Sequence, residues 1–180
     1  MDWGRNLQLA IQESAVPTLT QDFSKSFEAY SGMVFRTAYR ITGNAADAED
    51  VLQTIFLRLL RRDPSAPIPE SEESYLRRAA VNASVDLIRA RHTERRLPLT
   101  EAAGMTAEQS NADLRDGLRR ALGELSPQAA EIFALRYFED FSNREIAKAL
   151  QISQVLVAVK LHRARQQLQK QLLSYWGGQS

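Results

Sequence analysis

The chain has 180 residues, 44% hydrophobic and 25% charged, which is too apolar for a disordered chain and fits one medium or two small folded domains. A formal net charge of +1 excludes a uniformly basic or acidic protein, so any contact with a polyanion must come from local charge. The absence of cysteine removes disulfides, thiol chemistry and cysteine-ligated zinc, and two scattered histidines, His92 and His162, are too few for a metal cluster.

The first 22 residues read as an amino-terminal extension. Asp2 and Arg5 stand close together there without an apolar core, so no signal peptide is expected; Trp3, Leu7, Ala10 and Ile11 share one possible helical face. The longest unbroken apolar run in the chain is Val155–Val159, too short to span a bilayer, so no membrane insertion and a cytoplasmic location are expected.

Phe23 to Ile41 predicts one helix, with Phe23, Phe27, Tyr30, Val34 and Ala38 at spacings of three and four. Thr42-Gly43-Asn44 ends it, and Asn44 is the expected N-cap of the next helix. Asp47 and Glu49 fall in that helix's first turn, where the dipole favours acids. Ala48, Val51, Leu52, Ile55 and Leu59 make its inward stripe, and Arg58, Arg61 and Arg62 close its carboxyl end. Asp63 to Ser74, with Pro64, Pro67 and Pro69 beside three glutamates, reads as a loop. Tyr75 to about Arg91 is a third helix, carrying Leu76, Ala79, Ala80, Val85 and Ile88. Thr93 to Asn111 lacks periodicity, contains Pro98 and Gly104, and reads as a linker.

The second half starts near Ala112. Leu114, Leu118, Leu122 and Leu125 form a helical stripe. Ser126-Pro127 pairs an N-cap with proline at the first helical position, and Ile132, Leu135 and Tyr137 carry the helix that follows until Asp140-Phe141 breaks it. Ser142-Asn143-Arg144-Glu145 is a capping box opening a short helix with Ile146, Ala147 and Leu150 on its packed side. Gln151-Ile152-Ser153 makes a turn, with Ser153 capping a long final helix. Its core stripe runs through Val157, Leu161, Ala164, Leu168 and Leu172, so the apolar run is helical and not a strand.

A short capped helix, a three-residue turn and a longer basic helix are the parts of a helix-turn-helix, with a plain helical hairpin as the competing reading. Opposite the core stripe stand Val155, Ala158, Val159, His162 and Arg163, flanked by Gln154, Lys160 and Arg165. Such arginines and lysines suit phosphates or guanine in the major groove, and the helix end at Ser142 and Asn143 suits a phosphate. Charge is segregated to match. Leu76 to Arg96 holds six arginines against Asp86 and Glu94, and no acid follows Ile146. Two basic patches far apart suggest two contacts with a polyanion. The expected fold is all-α: two small helical domains at 23–96 and 112–174, joined by a flexible linker at 97–111, the second containing the helix-turn-helix.

Three segments, in order, resemble the extracytoplasmic-function (ECF) group of sigma-70-family RNA polymerase sigma factors. "DAEDVLQTIFLRLLRR" (Asp47–Arg62) is similar to the helix that docks on the polymerase clamp helices. "SYLRRAAVNASVDLIRARHTERR" (Ser74–Arg96) is similar to the promoter-melting helix, including Asn82 and Asp86. "LSPQAAEIFALRYFEDFSNREIAKALQIS", with the later "VKLHRAR", resembles the family's carboxyl-terminal domain. The resemblance implies a promoter-specificity subunit, without catalytic residues or cofactor, that binds core polymerase at its clamp helices and flap, binds promoter DNA, and is held by an anti-sigma factor. It implies that Asn82, with the loop before the helix, receives a flipped base of the minus-ten element, and that Arg77, Arg78, Arg89 and Arg91 neutralise the separated strands. Asp47, Asp50, Gln53 and Arg58 become candidates for the polymerase contact, with Phe56 or Leu57 as exposed apolar area. Ser142, Asn143, Gln154, Val155, Ala158, Val159, Lys160, His162, Arg163 and Arg165 become candidates for the minus-thirty-five element.

The chain departs from that family in two places. Gln151 holds a turn position usually given to glycine, at a cost of roughly 1 kcal/mol if the left-handed conformation is kept. Ala158 and Val159 stand where bases are commonly read and can only touch thymine methyls or allow close backbone approach. Two other readings stay open from the sequence: a stand-alone helix-turn-helix regulator, and a helical adaptor using the Val155–Val159 surface as a protein interface.

Overall fold

The computed structural model describes residues 17–62, 71–94 and 107–177, and the regular structure among them is all α-helix. Seven helices follow in order among the described residues: α1 (Pro17–Thr42), α2 (Ala45–Leu60), α3 (Glu72–Glu94), α4 (Ala107–Glu124), α5 (Pro127–Tyr137), α6 (Asn143–Leu150) and α7 (Gln154–Gly177).

The helix boundaries follow local chemistry. α1 stops at Gly43, whose φ of 69° is the left-handed conformation that glycine adopts without penalty. Asn44 caps α2 by accepting from the Asp47 N–H at 3.2 Å. Ser126 makes no side-chain cap for α5, and Pro127 opens that helix instead. α5 ends before Asp140, a second left-handed residue with φ 56°. The capping box of α6 is formed in full: Ser142 N–H donates to Glu145 at 2.7 Å, and the Glu145 N–H donates to the Ser142 hydroxyl at 3.2 Å.

α1, α2 and α3 pack around one core of Phe23, Met33, Val34, Ala38, Ala48, Val51, Ile55, Phe56, Leu76 and Ala80. Phe56 is its keystone, edge-on to Phe27 at 4.9 Å and to Phe23 at 6.0 Å between ring centroids. A second core joins α4–α7. It takes in Leu122, Ile132, Leu135, Ile146, Val157, Leu161 and Leu168, together with Ile41 of α1 and Val81, Val85 and Ile88 of α3. α3 therefore carries apolar residues on two faces, and its second face is buried by the carboxyl-terminal helices. Each such side chain removed from water contributes about 1.5–3 kcal/mol, so the two units share a substantial interface.

Two glycines allow the close approach. A Cβ on Gly123 of α4 would meet Ile88 of α3 at 3.2 Å, and one on Gly43 would fall 1.8 Å from the Arg119 guanidinium. Arg119 reaches past Gly43 to donate to the Ile41 carbonyl at 3.3 Å.

Some elements differ from the sequence expectation. Helices begin at Pro17, Glu72 and Ala107, so residues 17–22, read as extension, 72–74, read as loop, and 107–111, read as linker, are helical, while the rest of the extension at 1–16, the loop at 63–70 and residues 95–106 lie outside the described residues. Leu114, expected in the core, is 40% exposed, and Tyr137 is 45% exposed. Tyr137 still meets the Phe133 ring, 4.5 Å between centroids.

Candidate nucleic-acid interface

α6, its turn and α7 form the helix-turn-helix. Gln151 keeps the left-handed conformation with φ 54° and ψ 42°, and its N–H bonds back to α6. The Ile152 side chain packs into the core, and the Ser153 hydroxyl caps α7 by accepting from the Leu156 N–H at 3.1 Å. Val157, Leu161, Ala164 and Leu168 are buried as the stripe requires. The opposite face lies open: Gln154, Val155, Ala158, Val159, His162, Arg163 and Arg165 are exposed, with Lys160 half-buried. Val155 is 73% exposed, the most open large apolar side chain among the described residues. Arg165 lies over the Tyr137 ring at 6.0 Å. Ser142 is exposed and Asn143 half-buried at the start of α6. The Ser142 hydroxyl and backbone hold the Glu145 carboxyl below its ordinary value.

The candidate minus-ten residues sit on α3 in a different environment. Arg78, Asn82 and Arg89 share one face, and that face is turned into the carboxyl-terminal unit. Glu131 of α5 accepts from the Asn82 amide at 3.0 Å and from Arg78 Nε at 3.2 Å. Arg78 also donates to the Ala149 carbonyl at 2.7 Å, near the end of α6. Arg89 donates to the Gly123 and Leu125 carbonyls at 3.2 and 2.7 Å, where α4 ends. Helix carboxyl ends carry partial negative charge, so these arginines meet acceptors of the right sign.

Glu139, in the turn after α5, has a side chain with no exposure at all. It accepts from Arg77 at 2.6 Å and from Arg40 of α1 at 3.3 Å. Arg77 also pairs with Glu73 at 2.8 Å. Burial pulls the Arg77 pKa down, but its hydrogen bonds to Glu73 and Glu139 outweigh that, leaving it above the ordinary value. Stripping such a carboxylate of its partners typically costs about 3–5 kcal/mol. Arg91 points elsewhere, to Asp47 of α2, through both guanidinium nitrogens.

The α2 candidates divide. Asp50, Leu57 and Arg58 are exposed and Gln53 is half-buried. Phe56, expected as exposed apolar area, is 1% exposed and belongs to the first core. Asp47 is 2% exposed and is committed to Arg91. The correction has a helical cause. Asp50, Gln53 and Leu57 are separated by three and four residues, and the next position in that series is Leu60, 44% exposed. Phe56 lies off that line, among the phenylalanines.

Sequence reasoning also passed over Arg40, Arg119, Glu131 and Glu139. A faint signal existed in Glu131 and Glu139, acids set among apolar neighbours between two basic stretches.

Comparison with known proteins decides the family. The sigma-70 region 2 model matches residues 26–94, and the sigma-70 region 4 model matches residues 115–168. The chain belongs to the sigma-70 family, in its ECF group. Relatives of this sigma factor include the RNA polymerase sigma-E factor of Streptomyces coelicolor, 31% identical over 156 residues, covering 85% of this chain and 87% of that protein. The ECF sigma factor SigE of Mycolicibacterium smegmatis is 33% identical over 154 residues, covering 81% of this chain but 60% of that longer protein. SigW of Bacillus subtilis is 26% identical, covering 83% of this chain and 88% of its own. Two solved sigma factors share the fold at a TM-score of 0.50 and 20% identity. They are RpoE of Bartonella quintana with the anti-sigma factor NepR, covering 84% of this chain and 97% of RpoE, and CnrH with the cytosolic domain of CnrY, covering 93% and 94%.

The sigma factor thus directs RNA polymerase to promoters, and the stand-alone regulator reading is set aside. The family is one of non-enzymatic initiation factors. α1–α3 contain the region 2 match, and α4–α7 contain the region 4 match.

Proposed function

We propose that the sigma factor reads the minus-thirty-five element as duplex with α7 and the minus-ten element with α3, and docks on core polymerase through the exposed face of α2. The carrying observation is the geometry of α7: a fully packed stripe on one side and an open face with His162, Arg163 and Arg165 on the other. The basic residues supply phosphate contacts that position the helix. Val155, Ala158 and Val159 at its leading end offer methyl contacts in place of hydrogen bonds, which suits thymine. On α3, Asn82 supplies an amide for a base edge, with Arg77, Arg78 and Arg89 for the strand. On α2, Asp50, Gln53, Leu57, Arg58 and Leu60 form the polymerase contact.

The same reading places the protein in the bacterial cytoplasm under an anti-sigma factor. The exposed apolar Val155, Leu156 and Val159 support a protein partner, and both structural neighbours were solved with one. No helix among the described residues is long and apolar enough to cross a membrane.

In-vitro transcription with core enzyme and a library of genomic promoter fragments tests the reading. Protein-dependent initiation is expected, and Arg163→Ala weakens duplex binding evenly across sequences, lowering the salt slope by about one. Absence of initiation on every fragment with folded protein would overturn it.

A further inference from the structure

We infer that the leading turns of α7 sort duplexes by the methyl group at carbon 5 of pyrimidines, so that 5-methylcytosine serves where thymine does and an unmethylated pyrimidine does not. The inference deepens the proposal that α7 reads the minus-thirty-five duplex, and it rests on that reading.

In a helix-turn-helix the amino-terminal residues of the second helix meet the base edges. Here that stretch is Val155-Leu156-Val157-Ala158-Val159, and no side chain in it can donate or accept a hydrogen bond. Val157 is fully buried and turns into the core, as do Leu161 and Ala164. At about 100° per residue, Val155 and Val159 lie opposite that stripe with Ala158 beside them, and all three are exposed. The hydroxyl of Ser153, just before the helix, already accepts from the Leu156 N–H. Hydrogen-bonding side chains on the open face stand only at the edges of the run: Gln154 before it, and His162, Arg163 and Gln166 after it.

Charge selects the occupant of this face. No acid follows Ile146, and Arg163 and Arg165 continue the exposed surface beyond the valines. A protein partner would use the valines alone, whereas cations in line with them fit a phosphate backbone. The apolar feature that a duplex shows in its major groove is the carbon-5 methyl of thymine. Cytosine methylated at carbon 5 carries the same group at the same place. Val155 and Val159 stand one turn apart, about 6 Å along the axis against about 3.4 Å between base pairs, so they meet different pairs. Each methyl buried against a valine contributes about four-fold in affinity. Methylation of a promoter cytosine facing either valine therefore strengthens binding, and the sigma factor responds to the methylation state of its duplex.

The test uses holoenzyme assembled from the full chain and core polymerase. A random-sequence duplex pool is enriched for binding. The winning duplex is remade with uracil at single thymines, then with cytosine or 5-methylcytosine opposite guanine at the same positions. Two positions are expected where uracil weakens binding about four-fold and where 5-methylcytosine binds about four-fold tighter than cytosine. The exocyclic amine is common to the last pair, so only the methyl differs.

Uracil also alters duplex flexibility, so a variant decides. Val155→Ala with Val159→Ala shortens two exposed side chains and leaves the buried stripe intact. The preference for thymine over uracil is expected to fall toward one. A preference that persists in the folded double variant overturns the inference, as does equal binding of thymine and uracil by the unaltered chain. Arg163→Ala separates this failure from failure of the reading beneath it. Where Arg163→Ala weakens every duplex while thymine and uracil bind equally, α7 still reads duplex and the valines belong to a protein partner. Where Arg163→Ala changes nothing either, both proposals fall.

Discussion

Asn82 and Glu131 stand 49 residues apart in the chain and share a hydrogen bond of 3.0 Å. That bond joins the residue best placed on α3 to read a base with an acid of the unit expected to read a different promoter element. Under the proposed function, the amide that would read a base is therefore already engaged by the second unit.

Asn82→Ala gives the first prediction. Under the proposed function the substitution removes the amide that reads a base, and it also breaks the bond to Glu131, so promoters open less well. Promoter melting, followed by permanganate reactivity, falls, while binding to duplex is unchanged. Unaltered footprints and promoter preference would count against a role for Asn82 in the minus-ten contact.

Gly43→Ala tests the hinge between α1 and α2. A φ of 69° costs an alanine about 1–2 kcal/mol. The new Cβ would also lie 1.8 Å from the Arg119 guanidinium, which must swing away and lose its bond to Ile41. Urea denaturation is expected to show a loss of about 2 kcal/mol or more, since that bond adds roughly 1 kcal/mol. In an Arg119→Ala background the loss shrinks toward the backbone cost alone. An equal loss in both backgrounds would show that the two residues are not coupled.

The helices were legible in the sequence because their signals are local. The Ser142–Glu145 capping box, the Asn44 cap and the stripe Val157, Leu161, Ala164, Leu168 each lie within a few turns of one another. The interface between the two units was not legible, because Glu131 pairs with Asn82 and Glu139 with Arg77 across dozens of residues, and their apolar neighbours mark the acids without naming their partners. Phe56 was misplaced for a related reason. In "TIFLRLL" apolar residues are consecutive, and only the positions of Phe23 and Phe27 on another helix decide which faces inward.

Gln151→Gly removes left-handed strain at the helix-turn-helix without touching DNA-facing atoms. The residue holds φ 54° and ψ 42°, and glycine there relieves up to about 1 kcal/mol, less the entropy it costs in the unfolded chain. The melting temperature rises by up to roughly 2–4 °C. A fall would mean that the Gln151 side chain contributes a contact that outweighs the strain.

The Glu145 carboxyl gives a pH signature. Its hydrogen bonds with Ser142 lower its pKa in the folded protein from an ordinary value of 4.5. A depressed carboxylate stabilises above the unfolded pKa and loses that contribution as pH falls through the folded one. The α6 cap therefore holds at neutral pH and loosens only below 4.5. An NMR titration of the Glu145 carboxyl should place its midpoint below that value, and a midpoint at or above it would deny the capping box in solution.

Phe56 and Leu57 are neighbours with opposite assignments, which makes them the sharpest test of the polymerase contact. Phe56 is 1% exposed against Phe23 and Phe27, so Phe56→Ala leaves a cavity and costs about 3–5 kcal/mol of stability. Leu57 is 42% exposed and aligned with Asp50, Gln53 and Leu60. Leu57→Ala should change stability by less than about 0.5 kcal/mol, as surface substitutions do. If α2 docks through this face, Leu57→Ala and Leu60→Ala each weaken binding to core enzyme by about 1 kcal/mol or more, roughly five-fold. Denaturation and a competition assay against a second sigma factor measure the two effects separately. Should Leu57→Ala leave core affinity intact while Leu60→Ala does the same, the contact lies on another face of α2, and the exposed leucines must serve a different partner.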